Sequence, residues 1–195
     1  VVGAKSPERD AHRIKVLRNR VGENALIGVD AFRTFGDLEK AKHRVNLFKE
    51  YGISFVEDAF LESQGKLSIA LREQTGVPVS FGESLASASM AQQVIDYNQV
   101  DVLRIDALVI GGVSEFIKAA DYADRSGIQY STHIHTEVHS QIAAATKNCY
   151  AGGIEYLDPK YEIDLFHHLL LRPIEITDGR AQLSTAPGFG IEWDW

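Results

Sequence analysis

Short apolar runs alternate with longer amphipathic segments along most of the chain, and each apolar run is a candidate strand. The runs predict strands at residues 26–29, 53–56, 77–81, 102–105, 128–131 and 153–157. Between them apolar residues recur every three or four positions, as on one face of a helix. These segments predict helices beginning after Ser6 and Asp37 and at about residues 66, 87, 113 and 136. Because the strands are continuously apolar, we predict a parallel sheet covered by helices.

Capping residues mark several of the predicted helix ends. Ser6 is a candidate N-cap with Pro7 at the first helical position, and Gly22 follows the last apolar position of that helix. Asp37 is the candidate cap of the next helix. Ser and Asp side chains accept hydrogen bonds from unpaired N–H groups at the start of a helix, and proline at the first position has no N–H to satisfy. Glycine adopts the left-handed conformation that ends a helix. The first residues, 1–4, are typical of the end of a strand.

One acidic residue lies at the end of each of the first three predicted strands. These residues are Asp30, Glu57 and Glu83, separated by 27 and 26 positions. A repeat of an α/β barrel takes about 30 residues, and the carboxyl ends of its strands form one rim. We therefore expect the three carboxylates to lie side by side, where oxygen donors suit a hard cation such as Mg²⁺. Any one of these acids alone would more readily be interpreted as a helix cap or a solvated loop residue.

The remaining predicted strands end on groups suited to proton transfer. Asp106 and His133 follow neighbouring strands, so we expect the carboxylate to orient the imidazole and leave its other nitrogen as a general base or acid. Glu155 ends the last predicted strand. There we expect the other carboxylates to raise its pKa, so that it donates a hydrogen bond to a substrate oxygen. A salt bridge with Lys160 or Arg172 is an equally plausible role for it.

The number of predicted strands does not complete an eight-stranded barrel. Six strands and the stub at residues 1–4 leave a parallel edge unpaired, so we expect a C-terminal piece of a longer polypeptide or a chain whose upstream residues are missing. A doubly wound sheet is the competing architecture. The acids at the strand ends and the lack of a glycine-rich phosphate loop disfavour it.

Composition and charge exclude several other classes of protein. The chain has 195 residues and a formal net charge of −7, without a basic block, which argues against nucleic acid as a partner. No apolar run approaches the ~18 residues of a membrane span, and no charged-then-apolar start indicates a signal peptide, so we expect a cytoplasmic protein without membrane contact. The single cysteine, Cys149, excludes an internal disulfide and is expected in the core.

Taken in order, the strand-end motifs resemble those of the enolase superfamily and, within it, of the mandelate racemase-like group. The matching motifs are Val29-Asp30-Ala31-Phe32, Val56-Glu57-Asp58-Ala59, Gly82-Glu83-Ser84, Arg104-Ile105-Asp106-Ala107 followed by Gly111-Gly112-Val113, Ser131-Thr132-His133, Ile154-Glu155-Tyr156 and Pro187-Gly188-Phe189-Gly190. The resemblance covers nearly the whole chain, and the ordered set of motifs is specific where any single motif is weak.

The resemblance implies an α/β fold of the TIM-type (β/α) barrel, here lacking its first strands and its N-terminal capping domain. Residues 1–172 would form the partial catalytic barrel, and residues 173–195 would return toward the capping domain. The implied Mg²⁺ ligands are Asp30, Glu57 and Glu83, and the implied catalytic residues are Asp106, His133 and Glu155.

The implied reaction is abstraction of the proton α to a carboxylate, through an enediolate, in a sugar acid or 2-hydroxy acid. The family's second-strand base, usually a lysine, would fall at or before Val1, and a commonly polar position is Phe32. With His133 as the visible base, we favour dehydration of a sugar acid over racemisation or epimerisation. A non-catalytic barrel that acts as a binding or scaffold subunit is the alternative from another class. We also expect a symmetric homo-oligomer.

Overall fold

A computed structural model describes residues 1–163 and 166–194 of the chain. The chain forms two compact units. The first comprises Val1–Gly82 and Gln93–Leu103, and the second comprises Glu83–Gln92 and Arg104–Trp195.

Helices and strands alternate along the chain, as the apolar pattern predicts. The strands are β1 (Gly28–Asp30), β2 (Phe55–Glu57), β3 (Val79–Phe81), β4 (Val102–Ile105), β5 (Gln129–Thr132), β6 (Ile176–Thr177) and β7 (Arg180–Ala181). The helices are α1 (Pro7–Val21), α2 (Leu38–Lys49), α3 (Gly65–Thr75), α4 (Ala88–Asp96), α5 (Val113–Arg125) and α6 (Thr136–Ala145). Within the described residues, none of these helices combines the length and hydropathy that a bilayer crossing requires.

The first five strands form a parallel sheet in chain order. Strands β1 to β4 pair successively, and Asp30 lies opposite Glu57 in the register of β1 and β2. Strand β5 follows β4, and just past its end the His133 N–H donates to the carbonyl oxygen of Ile105, at 3.3 Å. The short strands β6 and β7 form a separate antiparallel pair. The predicted α/β class with a parallel sheet is therefore confirmed.

The prediction of a sixth strand at residues 153–157 is wrong. The chain enters this stretch through a 3₁₀ turn, Tyr150–Gly152, in which Ala151 has a left-handed φ of 53°. The Glu155 N–H then donates to the side-chain oxygen of Thr132, at 3.1 Å, and not to a strand backbone. An apolar run has formed an irregular segment because a side chain takes the place of the ladder partner.

The N-terminal residues form no strand either, which corrects the prediction for residues 1–4. Val2 makes one strand-like hydrogen bond, from its N–H to the carbonyl oxygen of Asp30 at 2.7 Å. The first helix begins and ends as predicted. Ser6 accepts a hydrogen bond from a backbone N–H of the first turn at 3.3 Å, and Gly22 follows the last residue with a φ of 83°.

The core of the first unit lies between the sheet and helices α1 to α3. Phe35 and Phe48 are fully buried there, with ring centroids 6.3 Å apart, and Val45 packs in the same cluster. Full burial of each such side chain stabilises the fold by roughly 1.5–3 kcal/mol. The apolar face of α2 therefore supplies much of this core.

A buried arginine on α1 connects the helix to two neighbouring loops. The Arg18 side chain donates to the carbonyl oxygens of Tyr51 and Gly52, at 2.9 and 2.8 Å, and to those of Gly22 and Ala25, at 2.7 and 2.8 Å. Buried backbone carbonyls need such partners. Arg18 thus supplies donors to carbonyls of the loops that follow α1 and α2.

The core of the second unit is aromatic. Phe116 on α5 meets Tyr130 on β5 edge to face, with centroids 5.2 Å apart, and lies 5.6 Å from the ring of His139 on α6. All three side chains are fully buried. Cys149 is also buried, as predicted, and its thiol donates to the carbonyl oxygen of Gly153.

Candidate active site

Two carboxylates end adjacent strands in the first unit. Asp30 is the last residue of β1 and Glu57 the last residue of β2, and the two face each other in the register. Adjacent strands lie about 4.8 Å apart, so both residues belong to the same sheet edge. The N–H of Phe32 donates to Asp30 Oδ1 at 2.8 Å, which fixes that carboxylate, and Glu57 is 7% exposed.

An ion pair that the sequence did not predict lies beside these carboxylates. Arg33 contacts Asp58, the residue after Glu57, at 2.9 Å and also contacts Glu62 at 3.2 Å. Phe32 and Arg33 both have left-handed φ angles, of 46° and 59°, so the chain turns sharply after Asp30. This turn brings Arg33 to Asp58, a contact that the sequence pattern around either residue does not predict.

The second unit brings together the predicted proton-transfer pair. Asp106 directly follows β4 and His133 directly follows β5, and His133 Nδ1 lies 2.8 Å from Asp106 Oδ2. His133 Nε2 lies 3.5 Å from Glu83 Oε2. The imidazole is therefore bound to a carboxylate through one nitrogen and presents the other beside a candidate metal ligand.

The pair shifts the pKa of both members. Burial lowers the pKa of His133, but the hydrogen bond to Asp106 and the charge of Glu83 outweigh it, so its pKa lies above the ordinary value. Burial raises the pKa of Asp106, but hydrogen bonds from His133 and the Leu108 N–H outweigh it and keep that pKa below the ordinary range. Asp106 is thereby held as a carboxylate opposite an imidazole that binds a proton readily.

His139 is a structural histidine behind this pair. Its Nδ1 donates to the carbonyl oxygen of Ile134 at 2.6 Å, and its Nε2 accepts from the Ala107 N–H at 2.9 Å. Since one partner can only accept and the other can only donate, the ring is neutral with its proton on Nδ1. Burial lowers the pKa of His139 and reinforces that state.

Glu155 lies in the same unit, although not on a strand. Its Oε2 accepts hydrogen bonds from Arg104 Nη2 at 2.6 Å and from the Ile134 N–H at 2.5 Å. Arg104 Nε also lies 3.6 Å from Glu83 Oε2. The partner of Glu155 is therefore Arg104. The two alternatives considered from the sequence bind elsewhere, Lys160 to Asp158 and Arg172 to Glu192.

Arg104 is a further residue that the sequence analysis missed. It lies two positions before Asp106 on β4, and residues two apart in a strand point to the same side. Its burial, at 8% exposed, marks a cation that needs partners. The period-two spacing would have placed it next to the predicted proton-transfer pair, but its partners come from distant parts of the sequence.

The segment after β5 has an unusual backbone. Ile134 and His135 have left-handed φ angles of 36° and 45°, which is rare for residues other than glycine and costly for a β-branched one. This conformation directs the Ile134 N–H to Glu155 and the Ile134 carbonyl to His139. The backbone of Ile134 and His135 therefore connects the segment after His133 to Glu155 and His139.

A second group of potential metal ligands lies at the surface of the same unit. Glu162, His167 and His168 have ligand atoms within 4.8 Å of one another. His168 Nε2 pairs with Glu162 Oε2 at 2.8 Å, and both side chains are more than half exposed. This hydrogen bond accounts for the proximity of Glu162 and His168.

A family model described as "Enolase C-terminal domain-like" matches residues 1–195. The chain belongs to that family. This enolase-family membership confirms the resemblance found in the sequence and favours the barrel over the doubly wound alternative.

Relatives of this enolase-family chain include lyases and isomerases. It is 29% identical to the L-talarate/galactarate dehydratase of Salmonella typhimurium, covering 97% of the chain and 46% of the relative. It is 28% identical to a chloromuconate cycloisomerase of Cupriavidus necator, covering 99% of the chain and 52% of the relative. The chain thus spans about half the length of the curated relatives it matches.

Solved structures of the enolase family share the fold. One is the L-talarate dehydratase from Polaromonas sp. JS666 complexed with Mg and L-glucarate, with a TM-score of 0.86 and 27% identity over 99% of this chain and 52% of that one. The side chains present here fit such an ion, since Asp30, Glu57 and Glu83 are all oxygen donors at the ends of strands β1 to β3.

Proposed function

We propose that this chain carries the active site of an enzyme that abstracts the proton α to the carboxylate of a small acid. The observation that carries the proposal is the His133–Asp106 pair, joined at 2.8 Å, with Nε2 of His133 beside Glu83. A base held in one tautomer by a buried carboxylate is suited to removing a proton from carbon and returning it. His133 is the general base in this proposal and Asp106 orients it.

The acids at the ends of the first three strands would hold Mg²⁺. Asp30 and Glu57 lie opposite each other in the register, and Glu83 follows β3 by two residues. When bound, Mg²⁺ supplies positive charge to the substrate carboxylate as negative charge develops on its oxygens. Glu155, beside Arg104, would donate a hydrogen bond from a protonated carboxyl group to a substrate oxygen and so support the enediolate.

Among the possible outcomes we propose dehydration of a sugar acid. After removal of the α proton, His133 would return that proton to the departing β-hydroxyl, so a single acid–base residue serves both steps. Relatives named as dehydratases of L-talarate and arabinonate support this choice. Racemisation or epimerisation of a 2-hydroxy acid is the alternative, and it requires a second base on the opposite face.

The test is hydrogen exchange in the full natural form of the protein. With Mg²⁺ in deuterium oxide, a panel of sugar acids and 2-hydroxy acids is followed by NMR for deuterium at the α carbon and for a 2-keto product. We expect His133→Asn to abolish both signals while Mg²⁺ binding is retained. Exchange that survives in this variant would remove His133 from the mechanism.

A matched histidine controls for general effects of the substitution. His43 lies on α2 with a largely exposed side chain, and His43→Asn is expected to leave exchange unchanged. A keto product indicates dehydration, whereas exchange with inversion and no keto product indicates racemisation. Absence of exchange across the panel would favour a binding or scaffold role.

We further propose that the protein assembles as a homo-oligomer, because barrels of this size often form symmetric oligomers. Light scattering of the full natural protein tests this, and a monomer at micromolar concentration would contradict it.

A further inference from the structure

Arg104 lies in a position to control the carboxylate of Glu155. The side chain is buried on β4, two residues before Asp106, and its Nη2 contacts Glu155 Oε2 at 2.6 Å. The same oxygen accepts the Ile134 N–H at 2.5 Å. Both partners can only donate, so Oε2 acts as an acceptor toward each of them.

The other oxygen of Glu155, Oε1, is not held by hydrogen bonds in this way. Among residues 1–163 and 166–194, Oε1 has no hydrogen-bond partner, and the Glu155 side chain is about a quarter exposed. Two donors on one oxygen fix the rotation of the carboxyl group about its last bond. The fixed group can therefore reach a ligand only through Oε1.

The charge of Arg104 serves a second carboxylate as well. Its Nε lies 3.6 Å from Glu83 Oε2, so one guanidinium stands between Glu83 and Glu155. A buried carboxylate without a cation or hydrogen bonds is costly. Arg104 thus allows two acids to remain close to His133 inside the fold.

We propose that Arg104 is a positioning residue, which fixes Glu155 through Oε2 and so selects Oε1 as the atom that meets the substrate. The proposal rests on the proposed function, since it assigns Glu155 a role toward the substrate. It does not require Arg104 to touch substrate itself.

The proposal makes a specific prediction for an amide at position 155. In Glu155→Gln the amide oxygen must face Arg104 and the Ile134 N–H, because the amide nitrogen cannot accept from them. The NH₂ group then takes the place of Oε1 and can donate to a substrate oxygen. Glu155→Met offers neither atom.

The decisive experiment is a comparison of substitutions at position 155 in two backgrounds. With Arg104 present, we expect Glu155→Gln to retain about tenfold more activity than Glu155→Met, a fraction of the effect of an oriented donor. In an Arg104→Met background this advantage is expected to shrink, because only the Ile134 N–H is left to orient the amide. Equal impairment of the two variants with Arg104 present would overturn the proposal.

Arg104→Met alone is expected to lower kcat about 100-fold, the size of effect that a small misplacement near the reaction can have. KM should change less than about threefold, since the loss falls on the transition state. Arg104→Lys should recover part of the lost rate because it restores a donor to Oε2. A normal kcat in folded Arg104→Met would refute the positioning role.

Arg18→Met is the matched control. Arg18 is an equally buried arginine, but it contacts backbone carbonyls, so its loss should lower the thermal midpoint without changing kcat per folded molecule. If Arg104→Met resembles Arg18→Met in both measurements, Arg104 is only structural.

A crystal structure of metal-free Arg104→Met gives a readout independent of activity. We expect the Glu155 carboxylate to rotate or shift so that Oε2 no longer occupies its present place. If Arg104→Met does not fold, Arg104→Lys serves for the same measurement. An unmoved carboxylate would contradict the proposal even in a protein without turnover. Failure of the deuterium-exchange test with His133→Asn would, by itself, contradict only the proposed function.

Discussion

Two arginines are buried in residues 1–163 and 166–194, one in each unit, and they differ in the oxygens they bind. Arg18 donates to backbone carbonyls in the loops after α1 and α2, and these carbonyls carry no net charge. Arg104 faces the carboxylates of Glu83 and Glu155, beside His133. The first arrangement completes hydrogen bonds that the fold requires. The second gathers negative charge where a cation and a carboxylic acid substrate would have to bind.

This difference indicates which of the two arginines stabilises the fold and which lies where activity is expected. Carbonyl oxygens do not titrate near neutral pH and carry no net charge with which to hold a cation, so we assign Arg18 a role in folding. Carboxylates can do both, and holding several of them close together costs free energy that a purely structural core would avoid. The surroundings of Arg104 are therefore typical of an active site, whereas those of Arg18 are typical of a structural core.

The largest expected effect comes from Asp106. Asp106→Asn removes the negative charge bound to His133 Nδ1, so the imidazole loses both its fixed tautomer and its raised pKa. We expect proton exchange to fall about 10³-fold or more, within the range for a misoriented base. Deuterium exchange by NMR measures this, and the thermal midpoint should change little. Full exchange in Asp106→Asn would contradict the proposed role of Asp106 and leave its contact with His133 a purely structural one.

Arg18→Met is expected to have the next largest effect, on stability alone. Its loss leaves several buried carbonyls without donors, which should reduce the free energy of unfolding by about 3 kcal/mol. Urea denaturation measures this, with Arg13→Met as the control because the Arg13 side chain is more than half exposed. A loss below about 1 kcal/mol, the value of a single ordinary hydrogen bond, would mean that water replaces Arg18.

Glu83→Gln tests the metal assignment. Replacing one of the three proposed carboxylate ligands should weaken Mg²⁺ binding about 10- to 100-fold, comparable to losses from altered metal surroundings. Isothermal titration measures the affinity. Glu62→Gln is the control, since Glu62 contacts Arg33 and is not one of the three proposed ligands. Unchanged affinity in Glu83→Gln would separate Glu83 from the metal site.

The smallest expected effect is the pH dependence from His139. Its pKa is below the ordinary value of 6.5 in the folded chain, so the unfolded state binds more protons as the pH falls through that value. The free energy of unfolding should therefore decrease below about pH 6.5, by at most about 1.4 kcal/mol per pH unit. Urea denaturation at pH 7.5 and 5.5 measures it, and His139→Gln should reduce the difference.

Three groups near His139 affect the size of this slope. The carboxylate of Asp106 lies 3.6 Å away and favours protonation, whereas the His135 ring at 6.3 Å disfavours it when charged. His133 has a raised pKa and contributes in the opposite direction. A steeper slope in His139→Gln than in the unsubstituted chain would contradict the neutral state inferred for His139.

Features determined by neighbouring residues could be predicted from the sequence. Ser6 and Asp37 cap α1 and α2 because a side-chain oxygen reaches N–H groups three residues away. The strand ends at Asp30, Glu57 and Asp106 followed from apolar runs of a few residues. Adjacent parallel strands then put His133 beside Asp106 without further information.

Features determined by distant residues could not be predicted. Residues 153–157 have the composition of a strand, but the left-handed Ala151 and the side chain of Thr132 give them another path. The pairing of Arg104 with Glu155 spans 51 positions and depends on that path. A sequence pattern gives the position of each charge along its own strand, while its partner is fixed only when the whole unit folds.

The hydrogen bond from Ile134 to Glu155 has a consequence for comparative genomics. The donor is a backbone N–H, which every amino acid except proline provides, so the contact survives almost any replacement of the isoleucine side chain. An alignment scores side chains and would present position 134 as freely variable. Its signature among homologues would be the exclusion of one residue type, proline, together with frequent glycine where the left-handed backbone is relieved of strain.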